Sequence, residues 1–316
     1  MRLVNILALT QAKLVNEPFV NSFENIVFDA KKIKRGDLFI AFVEEDIEDA
    51  ILNGAYGVVF DKPTQISDSE IAWIKVQNIE EAIKKLLRFR LIEKKINIYQ
   101  CDEVTIRLAQ QIVTQNNLVV LDSNVKDIFL SLWGIEADTT ILFTPSLTDE
   151  TLFTDVKLLP SDTTNHIEIK EKTLFETSFI YDNKFYERQL LSPFFIPYLE
   201  KLLSLFTSLD INFRLKKFNP IKHFEAVFIN KNLQIKDFGS TDKVVIFESD
   251  KKLISSQIDF LKDNASWANI IYLIDIKDED EVLNTLKNTN FHFALVFGYD
   301  KYILNEQQKY TQQVLF

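Results

Sequence analysis

Only six of the 316 residues are glycine, against roughly 7% in an average soluble protein. The shortage restricts which folds and sites the chain can build. Loops that bring backbone amides up to a phosphate need several glycines within a few residues, because a Cβ would block the close approach. Here only Gly54 and Gly57 lie near each other. The chain is therefore not expected to cradle a nucleotide in either the P-loop or the dinucleotide manner.

The hydrophobic pattern alternates short β-type runs with helical ones, which predicts an α/β protein. At the start, MRLVNILALTQAKLVN lacks a long apolar core and a small-residue cleavage site, so it reads as a first helix near Val4–Val15 rather than a signal peptide. Strands follow at Ile26–Asp29 and Leu38–Phe42, separated by the basic cluster Lys31, Lys32, Lys34, Arg35 and the turn signal Gly36-Asp37. Glu45–Leu52 has helical character and runs into Asn53-Gly54, a left-handed cap signal. Val58–Phe60 and Trp73–Val76 read as strands, and Ile79–Glu93 as an amphipathic helix.

A second unit opens with a strand at Ile96–Tyr99, a helix at Val104–Asn116 and a strand at Leu118–Leu121. It continues with a helix at Val125–Trp133 and a strand at Thr140–Phe143, a βαβαβ rhythm that implies a parallel sheet with right-handed crossovers. The rhythm then changes. His166–Lys170, Phe175–Tyr181 and Phe185–Leu190 read as antiparallel strands, with a hairpin turn at Asp182-Asn183, and Phe195–Leu209 as a strongly apolar helix. The last stretch carries strands at Lys243–Phe247, Ile270–Ile274 and Phe293–Phe297, and helices at Leu253–Asn264 and Asp278–Asn288. Its tail, Gln307–Phe316, is expected to dock on the sheet. The resulting division is 1–95, 96–236 and 237–316.

Composition narrows the function classes. A formal charge of −10 argues against a general nucleic-acid binder, which needs a basic face. One cysteine, Cys101, excludes an internal disulfide framework and a clustered-cysteine metal site. His166, His223 and His292 show no ligand spacing, and no run approaches the ~18 apolar residues that a membrane span needs. The expected compartment is the cytoplasm.

Several residue groups invite a functional reading and have a simpler one beside it. Lys84, Lys85, Arg88, Arg90, Lys94 and Lys95 could form an anion-binding face, or the solvated side and C-terminal turn of a helix whose dipole favours cations. Cys101 with His166 could make a thiol–histidine pair, yet a lone cysteine at a strand end is ordinarily a small buried side chain. Acidic runs such as Glu44-Glu45-Asp46 and Asp278–Glu281 read as solvated faces. Asp237-Phe238-Gly239 spells a kinase triplet with no companion motif. Phe194, Phe195 and Tyr198 are core candidates with a secondary reading as an interaction surface.

The stretch Val27–Pro63 carries a family resemblance. Asp29-Ala30-Lys31-Lys32, followed by Gly36-Asp37-Leu38-Phe39-Ile40-Ala41, then Asn53-Gly54-Ala55 and Val58–Pro63, resembles the opening domain of the Mur ligases. These are ATP-driven enzymes that build the peptidoglycan peptide stem, and the branch that adds D-alanyl-D-alanine to the UDP-muramoyl tripeptide is the most similar. The resemblance implies a three-domain α/β architecture: a small N-terminal α/β domain, a reduced P-loop-type central domain and a truncated Rossmann-like C-terminal domain. It also implies a remnant substrate site at Asp29, Lys31, Lys32, Gly36 and Asp37, and a remnant of the ATP site at Thr105. Pro220-Ile221-Lys222 stands where the family has Pro-Gly-Arg, and Asn232–Asp242 follows the linker into the last domain.

The departures from the family pattern fall on its chemistry. Ala30 replaces a hydroxyl that contacts the UDP moiety, and Lys31 replaces an arginine, keeping the charge without the planar fork. Where the family carries Gly-x-x-Gly-Lys-Thr, this chain has Gln100-Cys101-Asp102-Glu103-Val104-Thr105. Val104 replaces the phosphate-binding lysine, and two carboxylates stand where a triphosphate would sit, with helix capping as their simpler role. Phe143 aligns with a magnesium-binding glutamate, and the segment between Leu152 and Asn165 is too short for the carbamoylated-lysine region.

Phosphoryl transfer depends on the metal, the lysine and electrostatic stabilisation of the transition state. Without them, the resemblance points to a catalytically inactive bacterial Mur-ligase-like protein in cytoplasmic peptidoglycan precursor synthesis. It would use no catalytic residue, metal or cofactor and would act by binding. The candidate partners are an active Mur enzyme, a second copy of the chain or a UDP-muramoyl peptide. The alternatives are a divergent active ATP-dependent UDP-muramoyl-peptide ligase and a cell-envelope scaffold without ligand.

Overall fold

The computed structural model describes residues 1–92, 94, 96–114, 117–121, 125–145, 152–153, 155–160 and 163–304. The architecture is mixed α/β, with parallel strands in three of its four sheets. The chain divides into two compact units, Met1–Asp102 with Gln115–Leu159, and Glu103–Thr114 with Pro160–Phe316.

The first unit holds two sheets. In one, the strand order is Lys13–Leu14, Ala72–Lys75, Gly57–Phe60, Leu38–Ile40, Ile26–Val27. All neighbours are parallel except Lys13–Leu14, which runs antiparallel to Ala72–Lys75. Side chains alternate across a strand with period two, so a parallel sheet covered on both faces needs apolar residues at every position. Leu38–Ile40 and Gly57–Phe60 meet that demand along their whole length. Phe39, Val58, Phe60 and Trp73 enter one core with Ile33, Ile47 and Ala50. Leu38, Ile40, Val59, Ala72 and Ile74 enter the other with Leu3, Ile6 and the apolar stripe of the helix Ile79–Ile92.

Gly57 is required where the sheet meets Phe23. A Cβ there would lie 2.7 Å from the Phe23 ring and 3.0 Å from the Ala72 carbonyl oxygen. The second sheet is wholly parallel, in the order Leu118–Val120, Thr140–Phe143, Asn97–Gln100, Val156–Leu158. Its core continues the larger of the two clusters through Ile98, Phe129, Leu132, Ile141, Phe143 and Phe153.

In the second unit, three antiparallel strands, Glu168–Lys172, Thr177–Tyr181 and Lys184–Gln189, form a meander. Its tight turn places Asp182 at φ 49° and Asn183 at φ 58°. These are the left-handed values that a two-residue hairpin turn demands and that Asp and Asn tolerate. The helix Ile196–Ser208 buries seven of its thirteen residues and packs on the helix Glu103–Ile112. A four-stranded sheet follows in the order Glu225–Ile229, Lys243–Glu248, Phe293–Phe297, Ile270–Leu273, antiparallel at its first pairing and parallel elsewhere. The helices Lys251–Asn264 and Glu279–Asn288 start at Asp250 and Asp278, whose carboxylates accept from Lys252 N and Asp280 N.

Most expected elements are present within a residue or three, and the differences have local causes. The first helix ends at Thr10, because Gln11 turns left-handed at φ 57° and Lys13–Leu14 leaves to pair with Lys75 and Ile74. The helix expected to reach Asn116 stops at Ile112, where Val113 forms an antiparallel bridge with Phe213. The strands Val156–Leu158 and Glu225–Ile229 were not anticipated. The expected docking of Gln307–Phe316 concerns a segment outside the described residues. Among the described residues, no helix is long and apolar enough to cross a membrane.

Candidate functional site

The expected substrate remnant lies on the turn between Ile26–Val27 and Leu38–Ile40. Asp29 caps a short 3-10 turn over Ala30–Lys32, its carboxylate accepting from Lys31 N at 3.0 Å. Lys32 Nζ lies 3.8 Å from the same carboxylate, and Lys31, Lys32, Lys34 and Arg35 are all exposed around the buried Ile33. Asp37 is buried, and its two oxygens accept from Asn25 Nδ2 at 3.0 Å and Lys34 N at 2.9 Å. Gly36 beside it has φ +99°. The five residues thus form one tightly turned segment. Asp37 and Gly36 hold the backbone from within, while Lys31 and Lys32 present charge to solvent.

A groove of about 750 Å³ lies in the same unit, bordered by Phe19, Arg35, Leu52, Tyr56, Asp68 and Glu70. Arg35 Nε donates to the Tyr56 hydroxyl at 3.0 Å, which holds the guanidinium over one wall. Arg35 belongs to the basic cluster but not to the five residues expected to bind substrate, and Tyr56 carried no sequence signal at all.

Where the sequence resemblance would place a phosphate loop, the Cys101 thiol is buried and its pKa is pushed up to about 12, first by burial and then by the Asp102 carboxylate. A neutral thiol donating weakly to the Tyr99 carbonyl is a packing group rather than a nucleophile. His166, its suggested partner, instead lies 4.0 Å from Glu200. In the helix Glu103–Ile112, Val104 and Thr105 are each only 1% exposed. Glu103 opens the helix and pairs with Arg107 one turn on, at 3.2 Å.

Phe143, which the sequence resemblance would align with a magnesium ligand, packs on Phe153 with ring centroids 4.9 Å apart, inside the core. No group of three or more potential metal ligands occurs among the described residues. Of the basic set on Ile79–Ile92, Lys84 pairs with Glu81. Arg90 donates to the Trp133 carbonyl and lies over that indole, at 4.8 Å from its centre.

The densest polar constellation is one that sequence reasoning missed. His223, 1% exposed, places Nδ1 2.7 Å from Oε1 of Glu248, which is fully buried at the end of the strand Lys243–Glu248. The same carboxylate accepts from the amides of Phe224, Ser249 and Asp250 and from the side chain of Gln257. Among the described residues His223 Nε2 has no hydrogen-bond partner, and it lies 3.8 Å from Glu103 Oε2.

Burial alone would lower the His223 pKa, but the hydrogen bond and charge of Glu248, with Glu103 and Asp250 behind it, outweigh burial and raise it. Burial would likewise raise Glu248, and the His223 hydrogen bond, the Asp250 amide, the His223 charge and Gln257 bring it down instead. The pair is therefore an ion pair closed off from solvent. Its nearby hydroxyl, Ser192, donates to the Leu174 carbonyl and accepts from Phe194 N. A hydroxyl so engaged is not an activated nucleophile. The only cue in the sequence was a histidine and a glutamate 25 residues apart, with no motif joining them.

No protein-family model and no curated protein matches the sequence. Solved structures do. A crystal structure of MurF from Acinetobacter baumannii superposes with a TM-score of 0.52 at 9% identity, covering 98% of this chain and 97% of that chain. MurF from Thermotoga maritima in complex with ADP gives a TM-score of 0.47 at 10% identity, covering 90% and 96%. The chain thus shares the mixed α/β fold of the Acinetobacter ligase. At 9% identity the likeness is one of fold.

Proposed function

We propose that this chain is a Mur-ligase-like protein that acts by binding rather than by ligation, within cytoplasmic peptidoglycan precursor synthesis. The observation that carries the reading is the chemistry at two family positions. Val104, in place of the phosphate-binding lysine, is buried in its helix, and Phe143, in place of the metal-binding glutamate, packs with a tilted ring on Phe153. An apolar side chain neither neutralises a triphosphate nor coordinates its metal, and phosphoryl transfer needs both. In this reading the three segments 1–95, 96–236 and 237–316 keep the family's domain order. The turn at Asp29, Lys31, Lys32, Gly36 and Asp37 keeps a weakened anion site. The partner is an active Mur enzyme, a second copy of the chain or a UDP-muramoyl peptide.

Calorimetric titration of the full chain with Mg-ATP and, separately, with UDP-muramoyl tripeptide tests this. The expected result is no saturable heat with Mg-ATP. Saturable binding of Mg-ATP accompanied by phosphate release would overturn the reading in favour of a divergent active ligase. Heat with the sugar nucleotide alone would identify a carrier or sensor, and silence toward both would direct the search to a protein partner by affinity capture.

A further inference from the structure

The second unit carries a groove of about 610 Å³, within the size range of small-ligand sites. It lies along the hairpin Thr177–Gln189, the end of the helix Ile196–Ser208 and the loop after it. Its walls combine the rings of Tyr181, Tyr186 and Phe213 with Lys184, Arg214 and Asn165. All three rings are half-buried, each with part of its surface open.

The polar floor is fixed before any ligand arrives. Asn165 donates from Nδ2 to the Thr207 hydroxyl at 3.0 Å and accepts from the Tyr181 hydroxyl at 3.1 Å. The amides of Thr164 and Asn165 both donate to Ser204 Oγ at 3.1 Å, anchoring that segment to the helix. Arg214 is held by its backbone, whose N–H donates to the Ile112 carbonyl at 2.8 Å. Burial, the first cause in each case, and the charge of Asp182 raise the phenol pKa values of Tyr181 and Tyr186, against a lowering hydrogen bond with Thr207 at Tyr181, so both phenols stay protonated and Tyr181 keeps its bond to Asn165.

The charges on the walls are incompletely used. Among the described residues, the Arg214 guanidinium has no carboxylate within ion-pair distance. Lys184 has none either, its ammonium resting 5.3 Å from the centre of the Tyr186 ring. Asp182 at the hairpin tip adds one acceptor.

We propose that this groove binds an anionic saccharide, a hexose carrying a phosphate or a carboxylate. Aromatic surfaces pack against the C–H faces of a sugar ring. Preset amide and hydroxyl groups, with the Asp182 carboxylate, pair with its hydroxyls, and Arg214 with Lys184 takes the anion. The assignment is independent of the binding role proposed for the N-terminal turn.

The test is calorimetric titration of the full chain with glucose 6-phosphate and with glucuronate, with glucose, inorganic phosphate and adenosine 5′-monophosphate as controls. One of the two anionic sugars is expected to bind saturably, and the preferred one identifies the source of the charge. Its affinity should fall about tenfold or more in Arg214→Gln and in Tyr186→Leu, both with unchanged melting temperature, the scale expected on losing one charged hydrogen bond. Absence of saturable binding by both sugars would overturn the proposal. So would equal affinity for inorganic phosphate, tighter binding of the adenosine nucleotide, or wild-type affinity in both variants.

Discussion

His223 and Glu248 form a buried ion pair in which one carboxylate accepts from the imidazole, from three backbone amides and from Gln257. The imidazole, the Phe224 amide and the Gln257 side chain are buried, so the carboxylate satisfies donors that have no access to water. Glu103 stands on the far side of the ring, 3.8 Å from Nε2, and Asp250 adds its field from the helix start. The arrangement ties the strand Lys243–Glu248 to the chain segment that enters Glu225–Ile229.

Stability should depend on pH through this pair. The folded state holds the His223 proton more tightly than the unfolded chain does, so its contribution is fully present below 6.5 and is lost as pH rises through the raised folded value. Glu248 is depressed, so its contribution is present above 4.5 and is lost as pH falls through the lowered folded value. Urea unfolding of wild type and His223→Gln across pH 4–9 should show the wild-type advantage greatest between the two limits and shrinking above 6.5. A constant difference up to pH 9 would rule this out.

Replacing Glu248 with alanine removes the acceptor and leaves the imidazolium, the Phe224 amide and the Gln257 side chain buried without it. The expected loss is about 3–5 kcal/mol, the usual cost of breaking one side of a buried pair. Equilibrium unfolding reads it directly. A loss below about 1 kcal/mol would mean that water reaches the site.

The turn over residues 29–37 separates structural from solvent-facing residues. Asp37→Ala should cost roughly 1–3 kcal/mol, because the buried Asp37 carboxylate is the acceptor for Lys34 N and Asn25 Nδ2 in part-buried hydrogen bonds that hold the turn. Lys31→Ala and Lys32→Ala should leave stability within about 0.5 kcal/mol, as expected of exposed side chains. Thermal melts of the three variants distinguish the roles.

Gly57→Ala should destabilise by about 1–3 kcal/mol, since the new methyl would sit 2.7 Å from the Phe23 ring and 3.0 Å from the Ala72 oxygen. Gly134→Ala is the matched control, with nothing within 4 Å of the added methyl. Equal melting temperatures for both variants would show that Phe23 gives way.

Cys101 should resist alkylation. With the thiol buried and its pKa pushed up to about 12, iodoacetamide at pH 8 should leave the native protein unmodified and label it fully in urea, as read by intact mass. Rapid native labelling would contradict the buried assignment.

The sequence by itself determined the α/β class and most strands and helices, because period-two and 3.6-residue patterns report which faces are buried. The βαβαβ rhythm from Ile96 to Phe143 announced a parallel sheet, and Asp182-Asn183 announced its turn through the left-handed conformations those residues tolerate. The departures from the resembled pattern were legible as well, since Val104 and Phe143 are apolar where that pattern carries a lysine and a glutamate.

Only the tertiary structure decided what depends on distant residues meeting. The end of the first helix follows from the pairing of Lys13 with Lys75, and the strand Glu225–Ile229 from its partner Lys243–Glu248. The His223–Glu248 pair and the groove joining Asn165 to Arg214 are likewise made by packing. Hydrogen bonds and burial between residues far apart in the chain leave no periodic trace along it, so no local reading could have found them.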